Sequence, residues 1–215
     1  MNIGVDIDDT ISNSFEIIFG DSQIFDIEEM NGTGKVKNIG NIPNHYYIEN
    51  MYDWDEKSIE KFWYKYFKKV LVEATPKPYV AEILKKLKDE GNKIYLITAR
   101  YEQEGIESVE NLTKEWLEKH NITYDKLLMN SEDKLKIAQE NKIDIFIDDC
   151  LKNCKEVAEG KIKTYMFASI GNIMVDSKDI EKIYSWPQFY FEVNKFTKNS
   201  QIILTKQCFR YILIM

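Results

Sequence analysis

A chain of 215 residues with net charge -7, 44% hydrophobic and 30% charged side chains has the composition of a folded globular protein with enough length for a core and one sizeable insertion. The surplus of acidic over basic side chains argues against a nucleic-acid polymer as the main partner, while leaving room for a small anion at a local site. Three cysteines, Cys150, Cys154 and Cys208, are too few and too irregular for a disulfide framework and point to a reducing cytoplasm; with no cluster of His or Cys around them, a zinc site is not expected. The opening apolar run is short and turns acidic at once, unlike a secretory leader. The C-terminal "QIILTKQCFRYILIM" is broken by Lys206 and Arg210 and is too short to span a bilayer, so it reads as a late strand or a tail.

In chain order, residues 2–8 form a β-branched run that predicts a buried strand, ending in Asp6, Asp8, Asp9 and Thr10. Residues 15–74 break the rhythm of the rest and predict an inserted, mainly helical cap. Within it residues 28–50 carry Gly and Asn punctuation and read as loop, whereas Ile59, Phe62, Trp63, Tyr66, Phe67 and Val70 fall at helical spacing. Next, Pro76 and Pro78 open a helix striped by Val80, Ile83, Leu84 and Leu87 and closed by Gly91, and it feeds the strand "NKIYLITAR". Helices over 108–120, 132–141 and 151–159 alternate with the apolar runs "TYDKLLM", "IDIFIDD" and "KIKTYMF". Such alternation predicts an α/β fold, Rossmann-like, with a parallel sheet and helices on both faces. The expected division is a core of 1–14 and 75–197, a cap of 15–74 and a tail of 198–215.

Ligands of open α/β sheets bind at the carboxyl ends of the strands. Here three strands end in groups that one reaction would use: Asp6, Asp8 and Thr10; Thr98, Ala99 and Arg100; Asp148 and Asp149. Four carboxylates over one sheet edge repel one another unless a cation joins them, and an all-oxygen set that shares a substrate phosphate suits Mg²⁺.

The motifs "DIDDT", "LITAR", the lysine of "SEDKLKIA" and "IDIFIDD" follow one another in the order of the haloacid dehalogenase-like superfamily, which the chain resembles over residues 1–195. More narrowly, "PKPYVAEILKKLKDEGNKIYLITAR" and "YSWPQFY" resemble the branch of deoxyribonucleotidases and their bacterial relatives. Where that branch carries an Asp/Asn-Pro-Tyr-Asn type loop, this chain has "MFASIGN". The resemblance implies that Asp6 is the nucleophile that forms an aspartyl-phosphate and Asp8 the acid/base. By the same resemblance Asp6, Asp148 and the main-chain carbonyl of Asp8 hold Mg²⁺, with Asp149 supporting that shell directly or through water. Thr98 and the backbone at Ala99 bind phosphoryl oxygens, and Lys134 supplies positive charge, with Lys136 as the competing choice. The implied activity is hydrolysis of a small phosphorylated substrate, a nucleoside or deoxynucleoside monophosphate, by a cytoplasmic enzyme with no membrane or nucleic-acid polymer as partner. A phosphatase of another metabolite and an inactive phosphate-ligand binder are the alternatives.

Plainer roles stand beside these. Asp9 and Thr10 suit a turn, and Arg100 suits either a substrate contact or a loop cap. Trp54, Trp63 and Tyr64 could stack on a nucleobase or form the core of the cap. His45 and His120 show no metal-binding spacing.

Overall fold

In a computed structural model of the protein, residues 1–44 and 46–198 are described. His45, Cys208 and the terminal segment read above as strand or tail, from residue 199 on, lie outside them. Six strands form one sheet in the order β3-β2-β1-β4-β5-β6. They are β1 (Asn2–Val5), β2 (Lys93–Ile97), β3 (Lys126–Leu128), β4 (Ile145–Asp148), β5 (Lys163–Phe167) and β6 (Glu181–Ile183). Every neighbouring pair runs parallel. Alternation along the strands feeds two cores. Ile3, Val5, Ile94, Leu96, Ile145 and Ile147 face α4 (Val80–Asp89), α5 (Val109–Lys119) and the final helix α8 (186–198) through Leu84, Leu87, Trp116, Trp186 and Phe189. Tyr95, Ile97 and Phe146 face α6 (Lys134–Glu140) and α7 (Leu151–Glu159) through Ala138 and Val157. Gly4 occupies the centre of that second face, where a Cβ would lie 2.9 Å from Phe146 Cδ2. Helices thus cover both faces of a parallel α/β sheet, as the alternating pattern predicts.

The strands are shorter than the apolar runs that encode them. β1 stops at Val5 because the ladder ends with Asp6 N–H donating to Ile147 O; Ile11 and Ser12 N–H then both donate to Ile7 O and curl the chain. α4 starts at Val80 rather than at Pro76. Pro76 instead bridges Ser12, and Tyr79 sits at φ +66° before the first turn. Gly91, at φ +85°, closes the helix as the sequence suggests.

Between β1 and α4 lie α1 (Ser14–Glu28), α2 (Tyr47–Met51) and α3 (Glu56–Glu73). They enclose a cluster of their own, built on Phe15, Phe25, Tyr47, Met51, Phe62 and Tyr66. Trp54 belongs to it, stacked 4.3 Å from the Tyr52 ring and donating its indole N–H to Asp26. The short α2 arises inside a stretch whose sequence reads as loop. Among the described residues no helix is long and apolar enough to cross a membrane.

Candidate active site

The carboxyl ends of β1, β2 and β4 open into a cleft of about 510 Å³, walled on the far side by Ile18, Ile59, Trp63, Phe67 and Val70 of the inserted helices. Register alone brings the charged groups together, since Val5 is paired with both Leu96 and Ile147. One residue beyond that row stand Asp6, Ile97 and Asp148, with Thr98 and Asp149 next in line.

Carboxylate oxygens of Asp6, Asp148 and Asp149 lie within 4.8 Å of one another, all three residues buried. Lys134 Nζ is 2.6 Å from Asp6 Oδ1 and 3.7 Å from Asp148 Oδ2, and donates to Ile97 O as well. The lysine reaches this point because Asp133 caps α6 by accepting from Lys136 N–H. A first-turn side chain points back toward the helix N-terminus, here toward the strand ends. Lys136 is exposed, whereas Lys134 is 1% exposed and is the lysine that stands against Asp6. Asp148 is held by Cys150 N–H at 2.8 Å and by the Asn153 amide at 3.1 and 3.3 Å. Asp149 accepts from the Tyr47 hydroxyl at 2.8 Å, and its carbonyl accepts from the Asn172 amide in the loop after β5.

Burial pushes Asp6 up to about 7, with Lys134 opposing and Asp148 and Asp8 reinforcing the shift. Burial and the neighbouring carboxylates Asp9, Asp148 and Asp6 hold Asp149 well above the ordinary range. For Lys134 burial acts downward, but the Asp6 and Asp148 charges outweigh it and its pKa is raised. One ammonium therefore stands against Asp6 and Asp148, in a cluster where burial and neighbouring charge oppose ionisation of Asp6 and Asp149. The all-oxygen donor set, its spacing and its unmet charge fit a hard divalent cation.

Asp8 has different company. Its Oδ1 accepts from Ser14 Oγ and Arg100 Nη2, each at 2.7 Å, and its Oδ2 accepts from Arg100 Nε at 2.8 Å. Burial raises its pKa, and the Arg100 guanidinium more than reverses this, leaving it below the usual carboxylate value. The carboxylate of Asp8 thus stands apart from the trio, whereas Asp149, expected to support the ion's shell directly or through water, lies within the trio.

Thr98 is buried, its N–H committed to Leu128 O and its Oγ1 accepting from Arg100 N–H at 3.2 Å; Ala99 lines the cleft beside it. Asp9 takes a left-handed turn at φ +55° and caps the entry to α1 by accepting from Phe15 N–H, in line with the turn role expected for it. Trp63 lines the cleft while Tyr64 is 69% exposed at the surface.

Sequence reasoning left Arg100 outside the central set and did not single out Ser14, Tyr47, Asn153 or Asn172. Arg100 carried a signal: it ends the strand beside the one bearing Asp8. Tyr47 carried none, since only the fold of the insertion brings it to Asp149.

A family model described as haloacid dehalogenase-like hydrolase matches residues 3–130. A nucleotidase from Clostridium acetobutylicum is 26% identical over 204 residues, covering 94% of this chain and 98% of the relative. Among solved structures, a protein described as a predicted phosphatase from Clostridium acetobutylicum shares the fold with TM-score 0.66 at 15% identity, over 90% of this chain and 98% of that one. A haloacid dehalogenase-like hydrolase from Streptococcus pneumoniae does so with TM-score 0.63 at 15% identity, over 91% and 97%. The chain belongs to the haloacid dehalogenase-like hydrolases.

Proposed function

We propose that this haloacid dehalogenase-like hydrolase is a Mg²⁺-dependent phosphomonoesterase working through an aspartyl-phosphate, with nucleoside or deoxynucleoside monophosphates as substrates. The observation that carries the reading is the buried trio Asp6, Asp148 and Asp149 with Lys134 among them, at the floor of a cleft roofed by apolar and aromatic side chains. The relative named a nucleotidase, matched along nearly its whole length, supports the substrate class.

In this reading Asp6, Asp148 and Asp149 hold the ion, together with the carbonyl of Asp8. Mg²⁺ would neutralise their charge and polarise the phosphoryl group. Asp6 attacks phosphorus and Lys134 balances the charge that gathers on the phosphoryl oxygens. Thr98 and the Ala99 backbone orient those oxygens. Asp8 protonates the departing oxygen and then deprotonates the water that releases phosphate. Residues 15–74 act as a cap over a core of 1–14 and 75–197, excluding water from the intermediate. Cys150 and Cys154 are buried free thiols, which suits a cytoplasmic site of action.

A panel of nucleotides, sugar phosphates and other phosphate monoesters, assayed with and without Mg²⁺ for wild type and Asp6→Asn, tests this. Expected are Mg²⁺-dependent release of phosphate, preference for nucleoside monophosphates, and loss of at least about 10³-fold in the variant. Preference for sugar phosphates would move the substrate class. Wild type as inactive as the variant on every ester would remove the enzymatic reading.

A further inference from the structure

We propose that Arg100 and Ser14 are positioning residues for Asp8, fixing its carboxylate so that Oδ2 is the single oxygen that trades protons with leaving group and water. The inference rests on the reading of Asp8 as the acid/base.

A carboxylate offers about four lone-pair sites, two on each oxygen. Oδ1 of Asp8 fills both of its own, with Ser14 Oγ and Arg100 Nη2. Oδ2 uses one, toward Arg100 Nε, and keeps one open. The Asp8 side chain is 32% exposed and lines the cleft, whereas that of Arg100 is 2% exposed, so solvent and ligand reach the pair through Asp8, and we assign that access to the open position on Oδ2. Arg100 is itself fixed: its guanidinium Nη1 donates to Thr113 Oγ1 on α5 at 3.1 Å, its backbone N–H donates to Thr98 Oγ1, and its backbone carbonyl accepts from Asn130 N–H. A planar fork held at both ends sets the plane of the carboxylate as well as its charge, which an ammonium cannot do.

The proton balance then runs through one atom. Asp8 enters the cycle in its minor protonated form, the proton taken from solvent through the cleft onto the open position of Oδ2. As the bond from Asp6 to phosphorus forms and the ester bond breaks, the leaving oxygen takes that proton. Water returns a proton to Oδ2 as its oxygen attacks phosphorus and the bond to Asp6 breaks. Ester plus water gives alcohol plus phosphate, and Asp8 ends as it began.

The test compares p-nitrophenyl phosphate, whose leaving group needs little protonation, with phenyl phosphate, whose leaving group needs more, in Mg²⁺. For Arg100→Gln, kcat/KM on phenyl phosphate should fall about 100-fold, in the range of a lost general acid, and under about 10-fold on the nitro ester. Arg100→Lys, which keeps the charge and loses the fork, should fall nearly as far. Asp8→Asn/Arg100→Gln should be no slower than Asp8→Asn alone, because the positioned group is already gone. Ser14→Ala, a milder change that leaves Arg100 in place, should show the same leaving-group pattern at about 10-fold and carries the test where Arg100→Gln does not fold by circular dichroism. Wild-type rates in Arg100→Lys, equal losses on the two esters, or a double variant slower by the full factor of Arg100→Gln would each overturn the proposal. Asp8→Asn at wild-type rates while Asp6→Asn is dead would instead remove the acid/base role of Asp8 and the inference with it.

Discussion

The sheet edge and the inserted helices meet across one cleft and are built on different physics. At the edge, Asp6, Thr98, Asp148 and Asp149 lie at or within one residue of a paired strand end, so register sets their place and side chains only refine it. Among the described residues the insertion meets the core backbone through single bonds such as Ile42 N–H to Gly171 O and Met174 N–H to Gly40 O rather than through a ladder. It is held by its own aromatic cluster, and it touches the trio through Tyr47. Position is therefore strict on one wall of the cleft and adjustable on the other, which suits chemistry on the first and recognition on the second.

Four experiments break or sharpen that contrast. The largest effect should come from the strict wall. Lys134→Met removes the buried ammonium that pairs with Asp6 and Asp148, and kcat/KM should fall by about 10³-fold with KM little changed. A fall confined to KM would make the lysine a binding group only. Second, Phe62→Ala empties the centre of the aromatic cluster, where Phe62 is fully buried against Phe25, Trp54, Trp63 and Tyr66, at a cost of about 3–5 kcal/mol. Hydrogen exchange should quicken over α1 and α3 while amides of β1 and β4 hold their protection; equal loss in both would show one cooperative unit.

Third comes pH. Asp6 in the folded protein lies at about 7, above its unfolded value of 3.8. The stability it contributes is complete below about 4 and is lost as pH rises through about 7, at up to about 1.4 kcal/mol per pH unit for one group. Metal-free wild type should therefore lose stability relative to Asp6→Asn between pH 4 and 7, by chemical denaturation at each pH, and Mg²⁺ should reverse that trend. A pH-independent difference would mean that Asp6 ionises freely. The smallest effect should follow Tyr47→Phe, which removes one hydrogen bond to Asp149 and should cost about 1 kcal/mol in stability or Mg²⁺ affinity. A loss as large as that of Lys134→Met would make the insertion part of the strict wall after all.

The same contrast explains what could be read in advance. Strand ends carrying Asp6, Thr98 and Asp148 announced themselves, because β-branched runs broken by charge have few other uses, and the helix over 151–159 appears with the expected bounds. The insertion was harder to read. α1 buries Asp21, Ser22 and Asp26 beside Phe15 and Phe25, so it presents no clean apolar stripe. β6 is three residues long with one fully buried, too short for any periodicity to register. The partners of Asp8 and Asp149 were harder still: Ser14 comes to Asp8 through the curl after β1, Arg100 through the neighbouring strand end, and Tyr47 to Asp149 through the fold of the insertion, 102 residues away in the chain.

The strand order also fixes a sequence of events. β1, early in the chain, sits in the middle of the sheet, and Ile3 pairs with Ile94 on one side and with Ile145 on the other. Until β4 is present and docked, Asp6 lacks Asp148 and Asp149, the other two members of its trio. The carboxylate cluster is thus closed by a long-range pairing between the first strand of the chain and a strand about 140 residues later, a contact of high loop-closure cost.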